Sequence, residues 1–369
     1  MTAPAVPHSR RGRIGAQGRA YTVTSPVPAG VWEEVLASAP QVLASQTPEW
    51  LRCVCAVGGF EDASRLYETA DGRRLVLPLA RRAVLGRMIL SEASMPFGWG
   101  PAGLLGESGV VLPDDVRMVF GDLAAHRALR VWLRPEPAAA ATWEEGRPPW
   151  TVRRPAMAQS LSLAGGFDEV WRTRFRRDTR NRINRAERAE VVVERDDTGR
   201  LVPVFQRLYA MSVERWARHE GQPVALAQWR AALREPAGKL RTVAERLGAR
   251  CRVYAGFVDG RPAAAIVVLF TATTATYWRG AMNEELAGRT YANYLLHRAA
   301  IRDAAEAGCA AYHMGDSRPG SPLALFKSRF GAVEQHYASY WLERLPVASL
   351  TERARRRAGA ALQQLRGRR

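Results

Sequence analysis

From Cys251 onward the chain changes period, and that change limits the folds open to it. "CRVYAGFV" (251–258) alternates, with Cys251, Val253, Ala255 and Phe257 on one side, the spacing of a half-buried strand. Asp259-Gly260 marks a hairpin turn. The apolar run from Ala263 to Phe270 and the segment "TATYWRGAM" (274–282) read as two more strands. "TYANYLLHRAAIRDAAEAG" (290–308) has the length of a helix and ends on glycine. "CAAYHMGDS" then reads as a strand, "PLALFKSRFG" as a helix and "QHYASYWLERL" as a last strand. Three antiparallel strands followed by alternating helix and strand exclude all-α and all-β folds. The pattern predicts an α/β (α+β) fold in which helices pack on a mixed, mainly antiparallel sheet.

The first half repeats this order in shorter form. "GVWEEVLASA" (30–39) and "TPEWLRCVCAVGG" (47–59) read as helices, the second with Thr47 as cap and Pro48 in its first turn. "SRLYETA", "RRLVLPLARR" and "AVLGRMILSE" read as strands, residues 112–128 as a helix and "LRVWLRPEP" as a strand. Between them, "SMPFGWGPAGLLGE" (94–107) is a glycine-rich aromatic loop. The Pro-, Ala- and Gly-containing stretch 135–150 connects the halves. A chain of 369 residues favours two domains over one. The expected organisation is a mobile basic tail (1–20), an N-terminal lobe (21–150), a C-terminal lobe (151–345) and a basic C-terminal helix or tail (346–369). The second lobe opens with the strand "AQSLSL" (158–163). A helical run from Trp171 to Arg188 follows, with Trp171, Phe175, Thr179, Ile183 and Ala186 on one face.

Net charge is +18. Residues 1–20 contribute four arginines and no acid, residues 346–369 seven arginines against Glu352, and residues 171–195 nine arginines against four acids. That balance favours polyanionic partners: tRNA, anionic small molecules or lipid-linked acceptors. Yet only two of the 54 Lys and Arg residues are lysines, Lys239 and Lys327. Cys53, Cys55, Cys251 and Cys309 form no Cys-x-x-Cys pair and no Cys/His cluster, so buried free thiols are expected and no metal site. No apolar run reaches the eighteen or so residues of a membrane helix, and the N-terminus lacks the apolar core of a secretory signal. The expected location is cytoplasmic. Peripheral contact with the inner membrane face is expected through the C-terminal tail, whose apolar side is mostly alanine.

Three stretches sharpen the reading. "FRRDTRNRINRAERAEVVVE", "WRGAMNEELAGRTYANYLLHRAAIRDAAEAGC" and "YHMGDSRPGSPLALFKSRFGA" resemble the basic helix and strand, the aromatic strand with its long helix, and the Gly-Asp-Ser loop with an FK-x-x-FG segment of the Fem-like (FemAB-type) double-GNAT acyltransferases. The resemblance covers roughly residues 156–342, and the first half matches in outline. It implies two GNAT-like lobes and transfer of an acyl or aminoacyl unit to an amine. The co-substrate would be aminoacyl-tRNA or acyl-CoA, with no tightly bound cofactor. Aminoacyl-tRNA is favoured by the basic surface. "NEELAGRTYAN" also favours it, because an acid stands where a pyrophosphate loop carries a leading cation.

Acyl transfer needs a placed amine, donors for the oxyanion and a route for the proton. The strands "TATYWRGAM" and "CAAYHMGDS" would form the splayed pair that takes the donor carbonyl. The resemblance makes Lys327 the charged group at the reacting ester, with Phe326 behind it. Asp316, His313 and Glu284 are the candidate proton carriers. Ser317, Arg318, Tyr277 and Arg279 are expected to contact substrate. Gly288 and Arg289, with Arg176, Arg177 and Arg180 of the basic helix, are expected to bind donor phosphate or RNA.

Overall fold

The computed structural model describes residues 7–14, 19–84, 88–126, 128–236 and 238–344. In chain order its strands are β1 (His8–Ile14), β2 (Arg19–Ser25), β3 (Glu61–Asp62), β4 (Arg65–Thr69), β5 (Arg74–Leu77), β6 (Ala80–Val84), β7 (Met88–Ala93), β8 (Leu105–Gly106), β9 (Arg130–Leu133), β10 (Val152–Ser162), β11 (Val192–Asp196), β12 (Cys251–Val258), β13 (Arg261–Phe270), β14 (Thr274–Met282), β15 (Ala311–Asp316) and β16 (Val333–Glu343). The helices are α1 (Ala29–Ser38), α2 (Pro48–Gly58), α3 (Pro113–Ala125), α4 (Ala140–Gly146), α5 (Gly166–Glu169), α6 (Arg177–Arg188), α7 (Val202–His219), α8 (Val224–Arg234), α9 (Lys239–Leu247), α10 (Glu284–Thr290), α11 (Ala292–Glu306) and α12 (Pro322–Ser328). The mixed α/β class with mainly antiparallel pairing is as expected. None of the helices among the described residues is long and apolar enough to cross a membrane.

Two sheets form. A small one runs β1-β2-β4-β5-β8, and a large one runs β11-β12-β13-β14-β15-β10-β16-β9-β7-β6-β3. The lobes echo each other within the large sheet. In each, a hairpin (β6–β7, β13–β14) leads through a helix (α3, α11) to a parallel partner (β9, β15). The boundary expected near residue 150 is no break in this sheet. β9 of the first lobe pairs with β16, placing Tyr340 opposite Leu133 and Trp341 opposite Trp132, and the two indoles stack at 4.9 Å.

One apolar core lies between the large sheet and α2, α7 and α9, and it joins the halves: Trp32, Trp50 and Trp99 pack with Leu208, Val243, Val253 and Val267. A second lies on the opposite face under α11, holding Ile183, Leu296, Ile301, Tyr312 and Phe330. The third fills the N-terminal lobe around Tyr67, Phe120, Trp143 and Tyr340.

Four local expectations are corrected. Residues 8–14, read as a mobile tail, form β1, because Arg10 meets the buried Asp122 and Ser9 bonds Thr24 at 2.7 Å. "AVLGRMILSE", read as one strand, contributes to both β6 and β7, which pair with each other. The single helix read over 171–188 is interrupted. Val170–Arg174 is a π-helical turn, Phe175 is extended, and α6 starts at Arg177. Of the expected apolar face, Phe175, Thr179, Ile183 and Ala186 are buried and Trp171 is half-buried. Finally, the segment before α11 is the helix α10 instead of an open loop, because Asn283 caps it and Glu284 and Glu285 fill its first turn. The basic segment 346–369 lies outside the described residues.

Candidate active site

β14 and β15 pair in parallel only from Thr274–Thr276 to Ala311–His313. Two features end the pairing. A bulge at Trp278 shifts the β13–β14 register, and Gly315 turns β15 with φ +71°, a conformation that favours glycine. The strands part there, and a cleft of about 750 Å³ opens between the lobes. Its walls carry Thr276, Tyr277, His313, Asp316, Phe326 and Lys327 from the second lobe, Arg215 from α7, and Phe97, Gly98 and Arg134 from the first.

Lys327 sits on α12, which begins at Pro322 and is capped by Ser321. The side chain is buried, and Nζ donates to the carbonyls of Gly315 (2.9 Å) and Asp316 (2.8 Å). Burial pulls its pKa down to about 8, opposed by the charge of Asp316. Two of its three N–H bonds are thus used, and the residue lines the cleft. Phe326 turns inward beside it, packing on Tyr294, His297 and Phe330 at 4.9–5.3 Å. The glycine of the FK-x-x-FG segment is required by fit, since a Cβ at Gly331 (φ +83°) would lie 2.6 Å from the Arg174 carbonyl.

Asp316 is less free than a general base should be. Its carboxylate is ion-paired with Arg134 and accepts from the Tyr337 hydroxyl at 2.9 Å. Arg134 also donates to Tyr337 at 3.0–3.1 Å, so this triad clamps the lobes across the cleft. His313 is only 5% exposed. Its Nδ1 accepts the Gly315 backbone N–H at 3.2 Å, which leaves the proton on Nε2, an atom without a partner. Burial pulls its pKa down to about 4. Near neutral pH His313 is therefore a hydrogen-bond donor, and its accepting nitrogen is already used. The hydroxyl of Thr276, its register partner across the strands, is also buried and unpaired.

The other expected contacts divide. Tyr277 lines the cleft with its ring 4.7 Å from His297, and burial raises its phenol to about 12. The Ser317 N–H bonds the Met157 carbonyl at 2.9 Å, its hydroxyl is unpaired, and Arg318 is exposed beside it. Arg279 lines the cleft but is committed to structure: it bonds Glu235 at 2.8 Å, its own strand at the Trp278 carbonyl, and the Gly98 carbonyl. Gly288 and Arg289 are not at a phosphate-cradling turn. Both are exposed on α10, where Arg289 pairs with Glu285 at 3.5 Å. Arg180 is spent on the carbonyls of Trp171, Arg172 and Phe175, closing the π turn. Arg176 and Arg177 remain exposed.

Sequence reasoning missed Arg134, Tyr337, Thr276 and Arg215. The last carries a buried Nη1 without a partner at the cleft wall. The aromatic loop 94–107 was visible as glycine-rich, yet nothing in it foretold that Phe97 and Gly98 face the site. Lys239, the second lysine, lies just behind it. It is as buried as Lys327, is likewise lowered to about 8 by burial, and bonds the carbonyls of Gly98 and Arg234 at 3.1 Å under Trp99. Among the described residues no group of three or more His, Cys, Asp or Glu side chains is placed to hold a metal ion.

Residues 173–320 match the acetyltransferase (GNAT) domain family. No curated protein matches the chain in sequence. Solved structures do share the fold. FemX superposes with a TM-score of 0.60 at 11% identity, covering 88% of this chain and 98% of its own. A conserved protein of unknown function from Bacteroides thetaiotaomicron gives 0.51 at 11% identity, covering 85% and 97%. A tandem GNAT protein from the clavulanic acid biosynthesis pathway gives 0.49 at 13% identity, covering 91% and 98%. The superposition on FemX agrees with the expected Fem-like fold, and the match to the acetyltransferase (GNAT) domain family falls within the C-terminal lobe.

Proposed function

We propose that this GNAT-fold acyltransferase moves an aminoacyl unit from aminoacyl-tRNA onto an amine of a cell-wall precursor or peptide-like metabolite. The observation that carries the reading is α10. An acyl-CoA donor needs its pyrophosphate seated before the long helix, and here that position is a helix with Glu284 and Glu285 in its first turn and Arg289 ion-paired. The splayed cleft beside it stays open. Such a site suits a donor whose phosphates are held elsewhere, and exposed Arg176 and Arg177 offer a basic surface for an RNA backbone.

In this reading the acceptor amine attacks the ester carbonyl lodged between β14 and β15. A C–N bond forms, the C–O bond of the ester breaks, and the amine's proton ends on the departing ribose hydroxyl. Lys327, held by two carbonyls, turns its remaining N–H toward the developing oxyanion, and His313 Nε2–H adds a neutral donor. One such donor is worth about 100- to 1,000-fold in rate. The unpaired Nη1 of Arg215 would hold a carboxylate or phosphate of the acceptor.

The family match favours a second reading, an acyl-CoA-dependent transfer to a sugar amine or small amine, because acetyltransferases of that domain use acyl-CoA. Titration with acetyl-CoA and with charged and uncharged tRNA separates the two. Binding that prefers charged tRNA is the expected result. Saturable acetyl-CoA binding with no preference for charged tRNA would replace the first reading by the second.

A further inference from the structure

α8 wears its apolar side outward. None of its residues is buried, and Leu226, Trp229 and Leu233 are 37%, 60% and 64% exposed. At 100° per residue these three fall within about 60° of one another. Val224, Ala227 and Ala231, on the other side, are the half-covered ones. Gln228 reaches Glu214 of α7 at 3.4 Å, fixing which side faces the protein. Exposed Arg230 and Arg234 border the apolar stripe on one side, and exposed Arg218, paired with Glu214 at 3.5 Å, stands at the end of α7.

Nothing among the described residues covers this face, and charge selects its occupant. Residues 346–369 carry seven arginines against one acid, the same sign as the border of α8. A second copy would likewise set arginine against arginine. Exposed Trp and Leu flanked on one side by Arg230 and Arg234 match an anionic lipid surface, where the aromatic ring sits at the acyl boundary and the guanidinium groups reach the headgroups. We propose that α8 is an interfacial helix that docks the protein on an anionic bilayer. The placement is productive: Arg234 lies 5.7 Å over the ring of Phe97, which is 64% exposed and lines the cleft. Docking would therefore set the cleft mouth beside the membrane. This inference does not depend on the identity of the acyl donor.

The test is co-sedimentation of the full chain with vesicles of phosphatidylglycerol and phosphatidylcholine, and with phosphatidylcholine alone. Binding to the anionic vesicles is expected, reduced about tenfold or more by Trp229→Ser/Leu233→Ser. Substitution of Arg353, Arg355, Arg356 and Arg357 by Gln should leave most of it. Circular dichroism checks that each variant is folded. Equal binding to neutral vesicles, or loss with the tail variant alone, would overturn the proposal. So would a wild-type dimer that Trp229→Ser/Leu233→Ser converts to monomer without changing vesicle binding, because the face would then be a self-interface.

Discussion

Acidification should destabilise the protein through two histidines that its folded state keeps neutral. Burial holds His297 at about 3, helped by the nearby Lys327 charge, and His313 at about 4. Unfolded, each titrates near 6.5. Between those values the unfolded chain binds protons that the folded one refuses, so stability falls as pH drops. From pH 7 to pH 5 each histidine costs about 2 kcal/mol. Glu136 acts in the opposite sense. Burial raises it to about 7, so its folded form takes up a proton first and returns about 2 kcal/mol over the same interval. For these three groups together the wild-type loss is about 2 kcal/mol, too small a signal to assign alone. The informative perturbation is His297→Phe. The site is aromatic, with Tyr277, Phe326 and Phe330 within 4.7–5.4 Å of the imidazole. The replacement gives up only a 3.3 Å contact to the Tyr312 hydroxyl. Urea unfolding at pH 7 and pH 5 should show the variant losing about 2 kcal/mol less than wild type on acidification. An equal pH dependence in the two proteins would refute the claim that burial keeps His297 neutral.

Three further outcomes are expected. Lys327→Ala should retain its circular dichroism spectrum while turnover falls about 100- to 1,000-fold, and Lys327→Arg should not restore it, since a planar guanidinium does not replace a compact ammonium between two carbonyls; unchanged turnover in a single-turnover assay would remove Lys327 from the chemistry. Arg65 is buried between Glu92 (2.9 Å) and Asp122, so Arg65→Met should cost about 3–5 kcal/mol in denaturant unfolding, and a smaller loss would mean that water or rearrangement reaches the two acids. Arg177→Ala should weaken tRNA binding and flatten its salt dependence with little effect on melting, whereas Arg180→Ala should lower the melting temperature because its three carbonyl partners are left open; the reverse pattern would misplace the RNA surface.

The second lobe was largely visible in the sequence because its signals are local. Alternation marks β12, a continuous apolar run marks β13, and Gly308 closes the segment of α11. The continuity of the sheet was not visible, since β9 and β16 meet only through tertiary pairing across the chain. Arg134 was hidden for a statistical reason: among so many arginines, no spacing marks the one that grips Asp316. α10 was legible in principle, because Asn283 followed by two glutamates is a helix start, but the resemblance suggested a loop. Lysine scarcity drew attention to Lys327, and Lys239 shows what scarcity alone can mean. Both lysines are placed where a small cation must fit between backbone carbonyls. Only position relative to the splayed strands separates the one proposed for the reacting centre from the one that fastens the aromatic loop.

The place of β16 has a consequence for how the molecule is made. That strand lies between β10 and β9, and through them it joins the two halves of the large sheet. While a ribosome is still adding residues before Val333, β9 and β10 each present an unpaired edge, and Trp132 lacks the indole that stacks on it. The first lobe cannot finish folding as soon as its own residues have emerged. Its β9 edge stays unpaired until a strand encoded about two hundred codons later is available. Arrested nascent chains ending before and after residues 333–343 should differ sharply in protease resistance, in the first lobe as much as in the second.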